Sequence, residues 1–266
     1  MKTLNRCISF SVLTGLCFVA STGAYAQISS INSAIIVPRV FNDYPGATGN
    51  YINNYATSIT LGESGEYNTG SSGFANRDEW FFSNNGGSSA YTLGAFDYFT
   101  ASMTLNVTGN TTADNEAGFI IPNPPGGLPG GDLQFIADPQ SGFLGMFGGS
   151  GYWNSGLTYT AGETVTLGMQ YFYDTANSVN AFQFWVNAGS GNIYSTVQDL
   201  PSGTTLAGGN LGAYFQLAGV DNSTGPGNSG QAVFGNISIV GVPEPSLLAL
   251  LGLGLLPAAR LLRRRA

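Results

Sequence analysis

The chain has 266 residues, with 15 acidic residues, 8 basic residues and no histidine. Residues 27–241 contain fourteen acidic residues and only two basic ones, Arg39 and Arg77, so this part carries a formal charge of −12. Nucleic-acid partners are excluded, because phosphate binding needs lysine and arginine. Both cysteines lie within residues 1–26. Without histidine or further cysteine, nucleophile–histidine catalysis and the usual zinc sites are excluded as well.

Residues 1–26 have the three zones of a secretory signal peptide. Lys2 and Arg6 make the start positive, and a mostly apolar stretch follows from Ile8 to Ala20. Ala24 and Ala26 then supply the small-x-small pattern that signal peptidase accepts. We therefore expect an N-terminal signal helix that is removed after Ala26.

The other end of the chain, residues 242–266, combines a short motif, an apolar segment and an arginine cluster. Pro243-Glu244-Pro245 is followed by 13 uncharged residues, Leu247–Ala259. As a helix this segment is about 20 Å long at 1.5 Å per residue, short of the roughly 30 Å hydrocarbon layer. It is a marginal permanent anchor and an adequate transient one. The membrane-stop charges, which should stay cytoplasmic, are Arg260, Arg263, Arg264 and Arg265.

These three parts, in this order, resemble the PEP-CTERM sorting signal. The resemblance implies that an exosortase-type membrane enzyme recognises Pro243-Glu244-Pro245 and removes the single transmembrane helix. It further implies release or attachment at the cell surface or in an exopolysaccharide matrix. An ordinary tail anchor remains the alternative for the same residues.

Residues 27–241 are predicted to form one extracytoplasmic all-β domain, built as a two-sheet sandwich. In Phe99–Thr108 apolar and polar residues alternate without a break, so one face should be buried. Pro38 suggests an edge position for the first strand. The predicted strands are Ala34–Phe41, Thr57–Leu61, Glu79–Ser83, Phe99–Thr108, Ala117–Ile121, Leu133–Ala137, Leu144–Phe147, Thr164–Tyr173, Phe182–Asn187, Leu211–Leu217 and Gln231–Val240.

Two segments of this domain resemble a known fold. Ala161–Tyr171 reads as a turn followed by a strand, and Phe234–Ile239 reads as a closing strand. Together with the order of the strands, these segments look like the concanavalin A-like, laminin-G-type jelly roll. The resemblance spans roughly residues 100–240 and implies a jelly-roll sandwich.

The best candidate for glycan binding is an aromatic platform in a glycine-rich loop. Trp153 lies there between Tyr152 and Asn154, and sugar recognition combines an exposed ring with amide groups. Burial of Trp153 is the competing interpretation, because aromatic side chains usually serve packing. Trp80 and Trp185 stand among strand-like aromatics and are expected in the core.

Calcium is the one metal that the sequence favours. Hard cations take several oxygen ligands, and Asp114, Glu116 and Asp221 supply carboxylates in segments that read as polar loops. Jelly rolls of the resembled type often carry a structural calcium. Solvated, turn-forming side chains are the alternative. No other cofactor is expected.

Catalysis is not expected from the sequence. Glycoside hydrolysis needs two facing carboxyl groups, and the available neighbours are Asp78 with Glu79, Asp114 with Glu116, and Glu63 with Glu66. Asp78 and Glu79 should point to opposite faces of a strand, while Asp114 and Glu116 lie in a polar turn. The Glu-x-Asp-x-Glu arrangement of jelly-roll glucanases is absent.

The sequence therefore predicts a non-enzymatic surface or matrix protein that binds glycans such as exopolysaccharide. Two alternatives stay open. One is a secreted polysaccharide-active hydrolase on the same jelly-roll scaffold, and the other is a purely structural matrix protein or adhesin.

Overall fold

The computed structural model describes residues 28–66, 74–109, 114–149, 151–218 and 228–242. A short 3-10 turn (Ile28–Ser30) opens the described part. The strands that follow are β1 (Ser33–Asn42), β2 (Thr48–Asn54), β3 (Ser58–Glu66), β4 (Ala75–Ser83), β5 (Phe99–Gly109), β6 (Asp114–Ile121), β7 (Leu133–Asp138), β8 (Phe143–Gly148), β9 (Gly151–Asn154), β10 (Thr164–Asp174), β11 (Val179–Asn187), β12 (Asn192–Tyr194), β13 (Gln198–Asp199), β14 (Gly212–Ala218) and β15 (Asn228–Gly241).

The strands form two sheets, which confirms the predicted all-β, two-sheet sandwich with a jelly-roll-like arrangement. The seven-stranded sheet has the order β1-β4-β14-β6-β7-β8-β9. The eight-stranded sheet has the order β12-β11-β10-β5-β15-β3-β2, with β13 paired to β11. No helix within the described ranges is long and apolar enough to cross a membrane. The predicted signal and sorting helices lie outside those ranges.

Strand β5 shows how the hydrophobic pattern selects the face that is buried. Every second side chain from Phe99 to Val107 is fully buried, while the threonines, serine and asparagine between them are partly accessible. This strand lies at the centre of the eight-stranded sheet, between β10 and β15. The predicted edge position of Pro38 is confirmed too, since β1 ends the seven-stranded sheet. There Pro38 need not supply an N–H to a further strand.

Aromatic side chains join the two sheets. Trp80 of β4 is fully buried and packs edge-on against Phe234 of β15, with ring centroids 5.8 Å apart. The expectation for Trp185 is wrong. Its side chain is only partly buried and lies over Gly168, where an added Cβ would come within 2.0 Å of the indole ring. Core-facing Phe184 and Val186 flank Trp185 in β11, so alternation turns the indole to the outer face.

A partly buried polar network joins β1, β2, β3 and β4, with Glu63 and Asp78 as its buried members. Arg39 forms a 2.9 Å ion pair with Glu63, and the Tyr51 hydroxyl lies 3.0 Å from Glu63 and 2.9 Å from Asp78. The backbone N–H of Arg39 donates to Asp78 Oδ1 at 2.8 Å. Burial, and then the charge of Glu63, raises the pKa of Asp78 above its ordinary value. Arg39 adopts a positive φ of 54° at the irregularity in β1.

We predict that this network makes stability depend on pH. The raised pKa lets folded Asp78 keep a proton that the unfolded chain loses near pH 4. The resulting stabilisation is complete at lower pH and is lost as the pH rises through the folded-state pKa. Asp78→Asn imitates the protonated form, so its free energy of unfolding should fall less than that of the wild type between pH 4 and neutrality. Urea denaturation across this range measures the difference, and equal slopes would contradict the assignment.

Candidate functional site

The predicted glycan platform lies on β9, and its side chains point to two different sides of the sheet. Trp153 packs inward against Phe135, with ring centroids 6.0 Å apart. Trp153 is therefore not the exposed ring of a platform, because its position in the strand turns it toward the core. Its neighbour Tyr152 is 65% exposed and points outward, as does Asn154.

A groove lies on the outer face of the seven-stranded sheet, where Tyr152 and Asn154 point. Its cavity volume is about 610 Å³. Strands β6 to β9 form its floor, and the segments 141–143 and 156–158 form its sides. The lining residues from the strands are Glu116, Ile136, Asp138, Phe143, Phe147, Tyr152 and Asn154.

Two carboxyl groups meet at one end of this groove. Ala117 of β6 pairs with Ala137 of β7, so the antiparallel register places Glu116 opposite Asp138. Cross-strand partners have Cβ atoms about 4.5–5.5 Å apart. Asp138 accepts the backbone N–H of Gln140 at 2.8 Å and also the hydroxyl of Ser141. Those bonds fix its carboxylate beside the groove.

A row of hydrogen bonds crosses the sheet and ends on Glu116. Arg77 Nε donates to Gln216 Oε1 at 2.7 Å, and Gln216 Nε2 donates to Glu116 Oε1 at 2.8 Å. Because arginine can only donate, the bond from Arg77 decides which end of the Gln216 amide faces Glu116. The register aligns the three residues, since Gln216 pairs with Arg77 on one side and with Glu116 on the other.

Tyr214 completes the surroundings of Glu116. Its hydroxyl lies 3.4 Å from Glu116 Oε1 and 3.2 Å from Gln134 Oε1, while its ring is fully buried. Gly118 separates Tyr214 from β7 in the register and has no side chain to obstruct this reach. A Cβ at Gly118 would lie 1.9 Å from the carbonyl oxygen of Phe135.

These surroundings raise the pKa of Glu116 to about 7. Burial is the largest cause, and the nearby charges of Asp138 and Asp114 act in the same direction. Arg77 and the hydrogen bond from Tyr214 act against the rise without cancelling it. Glu116 can therefore hold or release a proton near neutral pH, which suits a general acid or base.

Glu79 has a similar pKa but a different position. Burial raises its pKa to about 7, and Arg77 partly offsets that rise. Its side chain is on the outer face of β4, yet it is buried and does not line the groove. Asp78, on the opposite face of the strand, belongs to the internal network. The expectation that these neighbours point apart is thus confirmed.

The sequence motivated Glu116 as a calcium ligand and missed Asp138, Gln216 and the role of Arg77. Asp138 directly follows the predicted strand Leu133–Ala137, a position where a polar side chain can project from a sheet end. That was the one available signal. Its pairing with Glu116 depends on register between strands distant in the chain, which no local spacing reveals.

The remaining predicted residues can be placed only in part. Asp114 and Glu116 are on β6, two positions apart and on the same face, whereas Asp221 lies outside the described residues. Within the described ranges, no group of three or more acidic, histidine or cysteine side chains could hold a metal ion. The calcium site stays a prediction. Ala24, Ala26, the Pro-Glu-Pro motif and the arginine cluster are also outside the described ranges.

No protein-family model matches this chain, and no curated protein matches it either. Several solved structures match this chain. The alginate lyase from Klebsiella pneumoniae is 11% identical, with 80% of this chain and 96% of the lyase covered and a TM-score of 0.50. A winged bean acidic lectin complexed with methyl-α-D-galactose is 13% identical, with coverages of 78% and 94% and a TM-score of 0.44. The family 7 alginate lyase A1-II′ is 11% identical, with coverages of 73% and 83% and a TM-score of 0.42.

The match to the Klebsiella pneumoniae lyase shows a shared fold, and several further matches are alginate lyases. The prediction that this chain is not an enzyme is corrected by this finding. It relied on the absence of a familiar catalytic motif, but the scaffold is one that an enzyme uses. The groove and its paired carboxyl groups were invisible to a motif search, because β6 and β7 contribute one carboxyl group each.

Proposed function

We propose that this chain is an exported enzyme that hydrolyses a neutral polysaccharide in the groove. The observation that carries the proposal is the placement of Glu116 opposite Asp138 on the groove floor, with the pKa of Glu116 raised to about 7. Retaining glycoside hydrolases use two carboxyl groups that flank the scissile bond, and cross-strand neighbours on one face of a sheet are close enough to share a bound sugar in this way.

In the proposed reaction Glu116 is the general acid and Asp138 the nucleophile. Glu116 Oε1 accepts the Gln216 amide, which leaves Oε2 to carry the proton. That proton passes to the glycosidic oxygen as the C–O bond breaks, and the Asp138 carboxylate bonds to the anomeric carbon. Water then replaces Asp138 while Glu116 takes a proton back, so that one water molecule is consumed for each bond cleaved. Gln216 is a positioning residue.

Tyr214, whose hydroxyl lies 3.4 Å from Glu116 Oε1, is a poor candidate for the base that elimination needs to take a proton from a sugar C–H. Burial raises the pKa of Tyr214 well above its ordinary value, and the negative charge of Glu116 raises it further. The phenol therefore keeps its proton at neutral pH and cannot serve as that base.

The charge around the groove favours a neutral chain over a polyuronate such as alginate. Glu116 and Asp138 line one end of the groove, and Asp114 lies close enough to interact with both of them. Of the two arginines between residues 27 and 241, Arg39 is paired with Glu63, and Arg77 is buried and bound to Gln216. A substrate with repeated carboxylates would meet like charge without a free cation to offset it.

The test is cleavage of a panel of neutral polysaccharides, with alginate as the acidic comparison. New reducing ends report any cleavage, and ultraviolet absorbance of unsaturated sugars reports elimination. Glu116→Gln and Asp138→Asn should each lower the rate by about 10²–10⁴-fold, because each removes one role in proton transfer or bond formation. Wild-type activity should fall as the pH rises through about 7, where Glu116 loses its proton.

Glu79→Gln is the matched control, since Glu79 is a buried carboxyl group on the same face with a similarly raised pKa but lies outside the groove. Its activity should stay near the wild-type value. Full activity in Glu116→Gln, or unsaturated products from alginate, would refute hydrolysis at this carboxyl pair.

We further propose that the domain is of the concanavalin A-like type and that the tail directs it to the cell surface or matrix. The sorting motif and signal peptide in the sequence support this delivery. In the native host, the protein should lack residues 1–26 and the arginine tail by intact mass. A variant with Pro243, Glu244 and Pro245 replaced by alanine should keep its tail and remain in the membrane. Retention of the tail in both forms would favour a plain anchor.

A further inference from the structure

The outer face of the seven-stranded sheet is open over one half and covered over the other. The groove lies over β6, β7, β8 and β9. Next to it, the outward side chains of β14 and β4 are almost inaccessible, with Gln216 3% exposed and Arg77 5% exposed. The open and covered halves meet at Glu116, where the groove ends.

Three stacked side chains cover the closed half. The Arg77 guanidinium lies 4.8 Å from the centroid of the Tyr214 ring and 4.7 Å from that of Phe41. We name this set the Phe41–Arg77–Tyr214 stack. Asp132 adds a carboxylate 3.8 Å from Arg77 Nη1. Since Tyr214 is fully buried and Phe41 is 42% exposed, the stack rises from the sheet toward solvent.

The irregularity in β1 places Phe41 over the sheet. The pairing of β1 with β4 shifts between Val37 and Phe41, after which Phe41 lies opposite Arg77. Arg39, within this irregular segment, is held by the bond from its N–H to Asp78 and by its ion pair with Glu63. The stack is thus supported from the interior of the sandwich, so a bound chain cannot easily displace it.

The opposite end of the groove is open and aromatic. Strand β9 is the last strand of the sheet, and Tyr152 projects from it into the groove. Its ring lies 5.7 Å from that of Phe143 at an interplanar angle of 30°, and the ring of Phe147 is 36% exposed beside it. Rings with an apolar face and nearby polar groups suit the faces and hydroxyls of sugars.

We propose that the groove is blind and takes the free end of a glycan chain. The terminal sugar lies at Glu116 and Asp138, against the Phe41–Arg77–Tyr214 stack, and the rest of the chain leaves over Tyr152 and the edge of the sheet. The consequence of such a groove, the removal of short units from chain ends, rests on the proposed function. The geometry of binding itself does not require cleavage.

The cleavage arm of the test follows product lengths over time on a neutral polysaccharide that the enzyme degrades. One short product should appear from the earliest times, while the viscosity of the solution stays nearly constant. Phe41→Ala lowers the stack and should add products of mixed length. Val40→Ala, at a neighbouring exposed position that is not in the stack, is the matched control and should keep the single product. Mixed lengths from the wild type at the outset would overturn the proposal.

The binding arm separates this proposal from the proposed function. The Glu116→Gln/Asp138→Asn double variant, with folding checked by circular dichroism, is titrated with cello-, laminari- and xylo-oligosaccharides by calorimetry. Each is offered with free ends and with bulky groups on both ends. At least tenfold weaker binding of the blocked forms supports the blind groove, even if no polysaccharide is cleaved. Equal binding of both forms, or no binding of any oligosaccharide, overturns it.

Discussion

The alternation of side chains in the seven-stranded sheet is the constraint on which the site depends. Residues on one side of β6 and β7, such as Ala117 and Phe135, pack into the sandwich core. A shift of the strands by one residue would turn these apolar groups to solvent and place carboxyl groups in the core. Core packing therefore fixes the register, and the register places Glu116 opposite Asp138.

The outer face of the seven-stranded sheet carries more carboxyl groups than basic groups. This imbalance of charge is the reason that a proton can remain on Glu116. Arg77 is shared between Gln216, Asp132 and two aromatic rings, so its hydrogen-bonded link to Glu116 runs through the neutral amide of Gln216, and its charge acts on Glu116 without a direct ion pair. Burial then outweighs the attraction to Arg77, and the pKa of Glu116 rises. A direct ion pair between Arg77 and Glu116 would stabilise the charged form and remove the proton that hydrolysis needs.

Local patterns predicted the sandwich better than they predicted the site. The long alternating strand β5 and the edge position of Pro38 followed from composition and spacing alone. Strand β9 has four residues, and its glycine and asparagine are typical of a loop, so the sequence leaves open whether the Trp153 ring is exposed or packed. The alternation of side chains along a strand predicts that Tyr152 and Trp153 face opposite sides of the sheet, but only the tertiary packing decides which of these sides is the core. Likewise, Glu116 stands in a segment that reads as a polar turn, and it becomes a strand residue through its pairing with β14 and β7.

The pKa of Glu116 itself is the most direct measurement of whether this carboxyl group can act as the proposed acid. Nuclear magnetic resonance of protein labelled with ¹³C at the glutamate carboxyl carbon, compared with Glu116→Gln to assign the signal, follows this group through a pH titration. Burial of Glu116 beside Asp138 and Asp114 predicts a midpoint of about 7. A midpoint near 4, the ordinary value of a solvated glutamate, would contradict it, because Glu116 would then have no proton to donate at neutral pH.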